Sequence, residues 1–465
     1  NQYILQQGEY VADVLRYYGD HYERPPFDLD YFPKGYRFDY LNAEILHEKL
    51  SVKNGKIHVD NAGDYRIITL RDSKQMLLST ARKLKELVLA GAVILGDKPE
   101  DSPSLMDDEN DLKELATIAN ELWGNKNEGV KQVGKGKVYW GKSLDDVIKA
   151  EQIEKDVSVP EGLNINWIHR ETTDAHIYFL ASNHDKPVDA AISFKVQDVY
   201  PQIWNAFNGK QEDANIWSVS GNRTDVALSF APSGSAIVVF SKDDKQPYAS
   251  KVTYNDEIVL STETGWYNIH DTDDFPKLSW KGDKFFTSKD GAYSFHQNES
   301  KISKTISIEE QLLQTNWILN FEDGWDTPKS VEIPELISLT KHNNDAIKHY
   351  SGTTTYTKTF NLEAVGSHVL IDLGIVSNIA ELLCNGKKVG VKWSPPFQFD
   401  ITEYAQKGEN TLEVKVTNTW RNQLIFDNKR PKDAKKTWTT NPPKKNENEL
   451  EDAGLIGPVV IKTLN

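Results

Sequence analysis

Between Tyr350 and Thr419 apolar and polar residues alternate on either side of an Asn-Gly pair, and no other stretch narrows the fold as much. Val369, Ile371 and Leu373 alternate with short or polar neighbours, and so do Leu412, Val414 and Val416. A strand with one buried face needs this period of two, because successive side chains point to opposite faces. Asn385-Gly386 predicts a two-residue hairpin, since both turn positions tolerate positive φ. Lys407-Gly-Glu-Asn410 predicts another turn. Strands at this spacing predict a two-sheet antiparallel sandwich or jelly roll.

Ahead of it, residues 16 to 155 alternate strand and helix patterns. Tyr36–Leu41 reads as a strand, and Asn42 then caps a helix over 43–50. Asn54-Gly55 predicts a hairpin and Tyr65–Leu70 a strand. Ser79–Ala90 is helical, with Leu84, Leu87 and Val88 on one face and Gly91 as its stop. Ala92–Leu95, a helix from Asp111 to Leu122, Lys137–Trp140 and a helix from Leu144 to Ala150 complete the series. Such alternation predicts a parallel sheet with covering helices, flavodoxin-like or amidotransferase-like. From 164 to 240 the pattern is all-β, and 244 to 307 is polar with short strand-like pieces.

Composition excludes several functions. The chain has 465 residues and a net charge of −15, against the basic footprint that nucleic-acid binding requires, so no nucleic-acid partner is expected. No apolar run reaches ~18 residues, so no membrane-spanning helix is expected. Cys384 is the single cysteine and sits in an apolar strand. Gly134-Lys-Gly136 lacks the third glycine and precedes a strand, so it fails the dinucleotide fingerprint. Residues 16 to 155 contain no cysteine to serve as an amidotransferase thiolate, and the chain has no Gly-x-Ser-x-Gly elbow and no zinc-spaced His/Cys cluster. The α/β region therefore reads as scaffold.

Larger motifs carry a resemblance. Trp393-Ser-Pro-Pro-Phe397, Asp400-Ile-Thr402 and Gly408-Glu-Asn-Thr-Leu-Glu-Val-Lys-Val-Thr-Asn418, followed by Trp420, resemble the sugar-binding jelly roll of large glycoside hydrolases. Trp325 in Phe321-Glu-Asp-Gly-Trp, Tyr350-Ser-Gly, Thr417-Asn-Thr-Trp-Arg-Asn-Gln-Leu424 and Gly454-Leu-Ile-Gly-Pro458 extend it. That longer set resembles the C-terminal domain of the α-L-rhamnosidases of glycoside hydrolase family 106. Gln2-Tyr-Ile-Leu-Gln-Gln-Gly8 resembles the stretch that closes the catalytic (β/α)₈ barrel of that family and leads into Val11–Leu15 as the first strand of the next domain. The resemblance covers nearly the whole chain and is weakest over 244–307.

The resemblance implies a bacterial, periplasmic or extracellular enzyme that hydrolyses terminal α-L-rhamnosides of plant polysaccharides with inversion. Its acid and base glutamates and a bound calcium belong to a barrel upstream of Asn1, which begins without Met and reads as the start of a processed or cut piece. No catalytic residue, metal ligand or cofactor carries over to this chain. The expected partners are a rhamnose-containing carbohydrate and that barrel. The expected domains are a non-catalytic flavodoxin-like domain over 1–156 (1–10 being the end of the barrel), a small β-sandwich over 157–243, a β linker module over 244–307 and a galactose-binding-like jelly roll over 308–465. Two alternatives are a stand-alone carbohydrate-binding protein and another glycosidase such as a β-galactosidase.

Two groups of residues are candidates for holding sugar. Between His21 and Glu44 lie Glu23, Tyr36, Asp39, Asn42 and Glu44, where aromatic faces could stack on a sugar and carboxylates accept from its hydroxyls. The same residues also suit a Pro-stiffened loop packed on a neighbouring domain. Trp420, Arg421 and Trp438 form the second group, read as part of a loop after the strand ending at Asn418. There Trp420 either builds a carbohydrate platform or plugs the end of the sandwich. His169-Arg170 and His184 are tempting as functional groups, but His169 reads as a satisfied strand residue, and the basic tract Lys429–Lys436 reads as a surface loop.

Overall fold

The computed structural model describes residues 2–20, 31–206, 209–242, 245–271, 275–281, 284–443 and 449–464. It is mostly β-strand and divides into two compact units. The first holds residues 1–253, 258–273 and 295–301; the second holds 254–257, 274–294 and 302–465. The polar 244–307 segment is thus shared between them.

In the first unit Phe38–Leu41, Val14–Tyr17, Ile67–Leu70, Val93–Leu95 and Gly136–Trp140 lie side by side in that order, all parallel. Gly129–Val133 closes the edge antiparallel. Adjacent strand residues feed opposite faces, and helices cover both. Leu15, Ile68 and Ile94 pack with Leu84 and Val88 of Leu78–Ala90 and with Leu115 and Leu122 of Glu109–Leu122. Val14, Ile67 and Leu95 pack with Leu144, Val147 and Ile148 of Leu144–Ala150. Local signals start these helices. Asn42 accepts from Ile45 N at 2.9 Å, Asp108 forms a capping box with Asp111, and Ser143 accepts from Asp146 N.

The first parallel strand is Val14–Tyr17 rather than the expected Val11–Leu15. The preceding backbone is already engaged: Glu9–Tyr10 pairs with Ile165–Glu171, Val11 N donates to His169 O, and Asp13 N donates to Arg37 O. The strand expected over Tyr36–Leu41 begins at Phe38, because Tyr36 turns its ring inward and donates to Ile153 O at 2.9 Å.

A second pair of sheets follows in the same unit. One contains Ile165–Glu171, Ala175–Ser182, Ser235–Ser241 and Tyr200–Trp204. The other runs Val157–Ser158, Val188–Phe194, Arg223–Phe230, Trp217–Ser220, with Trp217–Ser220 at its edge. Their facing residues, among them Tyr178, Leu180, Phe194, Val226 and Phe240, share one core.

The second unit pairs a six-stranded sheet with a four-stranded one. The larger is ordered Ser330–Glu335, Thr315–Phe321, Thr353–Leu362, Gly408–Thr417, Ile379–Cys384, Lys387–Lys392; the smaller is Ile308–Leu312, Val460–Leu464, His368–Asp372, Gln398–Asp400. Every pairing in both is antiparallel. Asn385 and Gly386 take φ of 51° and 74° in the expected hairpin. Trp317, Tyr356, Leu382 and Val414 from the larger sheet meet Val369, Ile371 and Ile461 from the smaller in one core. Each such side chain contributes roughly 1.5–3 kcal/mol by leaving water.

Candidate functional site

The C-terminal candidates grow out of the paired strands Thr353–Leu362 and Gly408–Thr417. At their open end Asn418 Oδ1 accepts from Gly352 N at 2.8 Å, and Asn418 Nδ2 donates to Tyr350 O at 2.8 Å. Gly352 has φ +152°, and a Cβ there would sit 2.7 Å from the Tyr350 hydroxyl, so this joint requires glycine. Tyr350 is buried, donates to Thr353 O at 2.9 Å and lies 3.3 Å from Glu322 Oε2; burial pushes its phenol pKa up.

On this root stands a column of rings. Trp325 packs edge-on against Tyr350 at 5.4 Å, and Trp420 lies against Trp325 at 5.9 Å and 38°. Tyr350 is in the core, Trp325 is half-buried, and Trp420 is 57% exposed. Trp420 therefore does not plug the sandwich end. The chain after it is not a loop but a helix, Arg421–Asn428, whose buried residues are Asn422, Gln423, Ile425 and Asp427. The segment gave no apolar helical periodicity, because a strand ends only a few residues before it and three of the four buried positions are polar.

Polar groups complete the surface. Arg421 Nε lies 3.1 Å from Glu451 Oε1, and Thr419 Oγ1 donates to Glu451 Oε2 at 3.3 Å. Asn422 locks Glu451 in place through its backbone, donating to Glu451 O and accepting from Glu451 N at 2.7 and 2.9 Å. Thr419, Arg421, Glu451, Asn441 and Pro442 border a hollow of about 330 Å³. Trp438, 84% exposed, rides on the following loop. Buried Asp427 pins that loop, accepting from Lys436 N, Thr437 N and Thr437 Oγ1. The Lys436 ammonium, joined by Arg430, holds Asp326 below the usual carboxylate range. Arg430 and Lys436 of this tract thus face a carboxylate of the same surface. An exposed indole beside a guanidinium, a carboxylate and amides can stack on an apolar sugar face and bond its hydroxyls.

The N-terminal candidates belong to the other unit, where Tyr36, Asp39 and Asn42 are engaged. Tyr36 is buried on Ile153 O. Asp39 accepts from Tyr40 N at 2.8 Å and from Tyr65 OH at 3.3 Å. Asn42 caps a helix whose first turn carries exposed Glu44. Glu23 lies outside the described residues. The carboxyl end of a parallel sheet is where ligands usually bind. Here Asp20 stands at the start of helix Leu78–Ala90, accepting from Leu77 N, Thr80 Oγ1 and Tyr17 OH at 2.9, 2.8 and 2.6 Å.

His169 is buried between Asp156 Oδ2 at 2.9 Å and His176 Nδ1 at 3.1 Å, and its ring stacks on Tyr178. The aspartate–histidine pair leads to a second imidazole, not to a hydroxyl or thiol nucleophile. Burial, reinforced by His169, lowers the His176 pKa. His184 accepts from Asn164 N at 3.0 Å. Among the described residues no three His, Cys, Asp or Glu side chains converge as metal ligands.

Comparison with known proteins places this architecture. A family model described as alpha-L-rhamnosidase matches residues 1–217. A rhamnosidase from Novosphingobium sp. PP1Y superposes on 99% of this chain and 40% of its own, with a TM-score of 0.79 and 27% identity. Over residues 1–217 the chain is similar to the α-L-rhamnosidase family. A second model, the sugar binding domain of family 2 glycosyl hydrolases, matches residues 288–439 and so includes the whole aromatic column. A protein of Formosa agariphila provisionally named a β-glucuronidase is 25% identical, covering 100% of this chain and 56% of its own length. The chain therefore spans only about half the length of the relatives it matches. Glu451, the partner of Arg421, was missed in the sequence because it lies far from Trp420 along the chain, in an acidic run that reads as solvated surface.

Proposed function

We propose that this chain is the accessory, non-catalytic part of a bacterial glycoside hydrolase, periplasmic or extracellular, that cleaves terminal α-L-rhamnosides of plant polysaccharides with inversion. The catalytic barrel and its calcium lie upstream in the same protein, and this chain buttresses that barrel and offers glycan the Trp420 surface. It takes no metal or cofactor of its own. The observation that carries the reading is coverage: a rhamnosidase aligns with nearly all of this chain while extending well beyond it. The engaged carboxylates of the first unit, with Asp20 at the helix start, support a scaffold there. The 2-1-3-4-5 order of its parallel strands supports a flavodoxin-like domain. The facing antiparallel sheets of the second unit support a galactose-binding-like jelly roll.

The test is hydrolysis of a chromogenic α-L-rhamnoside by this chain and by the same chain extended upstream. Activity is expected only in the extended protein, and activity of the chain alone overturns the scaffold role. The Formosa agariphila relative favours a second reading, an enzyme acting on β-glucuronides. Running a chromogenic β-glucuronide in parallel separates the two.

A further inference from the structure

A cavity among the described residues of the first unit has no part in the reading above. It is an open cleft of about 880 Å³, within the usual range of ligand sites. All of Trp217 to Gly221 lines it. Side chains of a strand alternate between faces, so consecutive residues can border one cavity only along the strand's edge. Trp217–Ser220 is the edge strand of its sheet, paired with Arg223–Phe230 on one side. Trp217 N already donates to Ala249 O at 3.2 Å, so the edge presents backbone donors and acceptors only beyond Trp217.

Much of the remaining lining is hydroxyls and amides. Ser218 Oγ donates to Thr262 Oγ1 at 2.7 Å, which leaves the Thr262 hydroxyl its own proton to give. Thr262 and Asp225 are both buried, at 6% and 3% exposure, yet both border the cleft. Burial raises the Asp225 pKa. Gln297 also lines the cleft, and its Oε1 is buried without a hydrogen-bond partner. A buried acceptor left unpaired is costly, so the wall is short of a donor. Trp217 lies beneath at 5% exposure, too covered to stack on a ligand.

We propose that this cleft binds a neutral oligosaccharide through hydrogen bonds, as a second glycan site apart from the Trp420 surface. Hydroxyls of a sugar both donate and accept, which matches a wall mixing serine, threonine, amide and carboxylate. A phosphorylated ligand fits less well: Asp198, Asp225 and Glu263 border the cleft against Lys251 and Lys245, and Lys245 already holds Asp213 at 3.0 Å. An extended peptide could pair with the strand edge, but Ser218 and Ser220 are small, and besides the covered Trp217 only Val199, Val219 and Pro247 are apolar in a mostly polar lining.

The inference shares only its ligand class with the proposed function, so the experiment separates them. The chain is titrated calorimetrically with neutral xylan, arabinogalactan and rhamnan oligosaccharides, with inorganic phosphate as control. Ser220→Trp, on an exposed edge position, fills the cleft, and Thr262→Val removes one hydroxyl at nearly constant shape. Both variants are checked for folding by circular dichroism, and if one fails to fold the other decides. Each is expected to weaken binding at one site at least tenfold, while Trp420→Ala leaves that site intact. The cleft is refuted if the Trp420→Ala protein binds no neutral oligosaccharide, or if both cleft variants bind like the parent. Binding of phosphate in preference to sugar would also overturn it. Binding lost only in Trp420→Ala would leave the proposed function standing and remove the cleft.

Discussion

The end of the parallel sheet around Tyr36 and Asp39 and the surface around Trp420 are built from the same residue types and use them in opposite ways. In the first, Tyr36 donates to Ile153 O, and Asp39 accepts from Tyr40 and Tyr65. These aromatics and carboxylates bind one another and the backbone. In the second, the buried ring Tyr350 supports a half-buried one, and Trp420 above them is mostly exposed. Aromatic and acidic composition is therefore no sign of a site. What distinguishes the two is whether the hydrogen-bonding and stacking capacity is already used.

The largest test breaks the foundation of the exposed column. Leu382 is fully buried between the two sheets of the second unit, and Leu382→Ala should cost about 2–5 kcal/mol. Thermal unfolding would show it, and an unchanged midpoint would mean that sheet packing does not hold the column up.

A pH-dependent test probes the internally engaged region. Burial, with Asp156 nearby, raises the Asp13 pKa from 3.8 to about 6. The folded state therefore holds a proton that the unfolded chain releases, and stability falls as pH rises through that window. Asp13→Asn should stabilise the protein by up to about 3 kcal/mol above pH 6 and bring no gain below pH 3.8. Melting curves at both ends of the range check it; equal gains at both would assign the effect to something other than ionisation.

Tyr36→Phe should cost about 1–3 kcal/mol, because Ile153 O loses its donor inside the fold. Oligosaccharide binding should be unaffected, and a loss of binding in a folded variant would return Tyr36 to the candidate sites. Trp420→Ala should change stability by about 0.5 kcal/mol or less, as exposed positions do. It should nonetheless abolish glycan binding at the column. If stability falls steeply instead, Trp420 belongs with Tyr36 as a structural residue and the contrast between the two regions fails.

Much of the fold was legible. Asn385-Gly386 and Asn54-Gly55 turn as their residue types require, and Asn42 caps its helix. The alternation of Leu412, Val414 and Val416 places them in the core. Tyr350-Ser-Gly and Asn418, noticed separately as motif residues, prove to bond each other. The helix Arg421–Asn428 was hidden by its buried polar residues, and Glu451 and the walls of the cleft gave no signal. Periodicity, turns and caps act between neighbours in the chain, so the order of residues alone determined them. Exposure and partnership depend on which distant segments arrive to cover or bond a side chain. Only the tertiary structure could decide that Tyr36 is buried, that Trp420 is not, and that Ser218 and Thr262 face a common cleft.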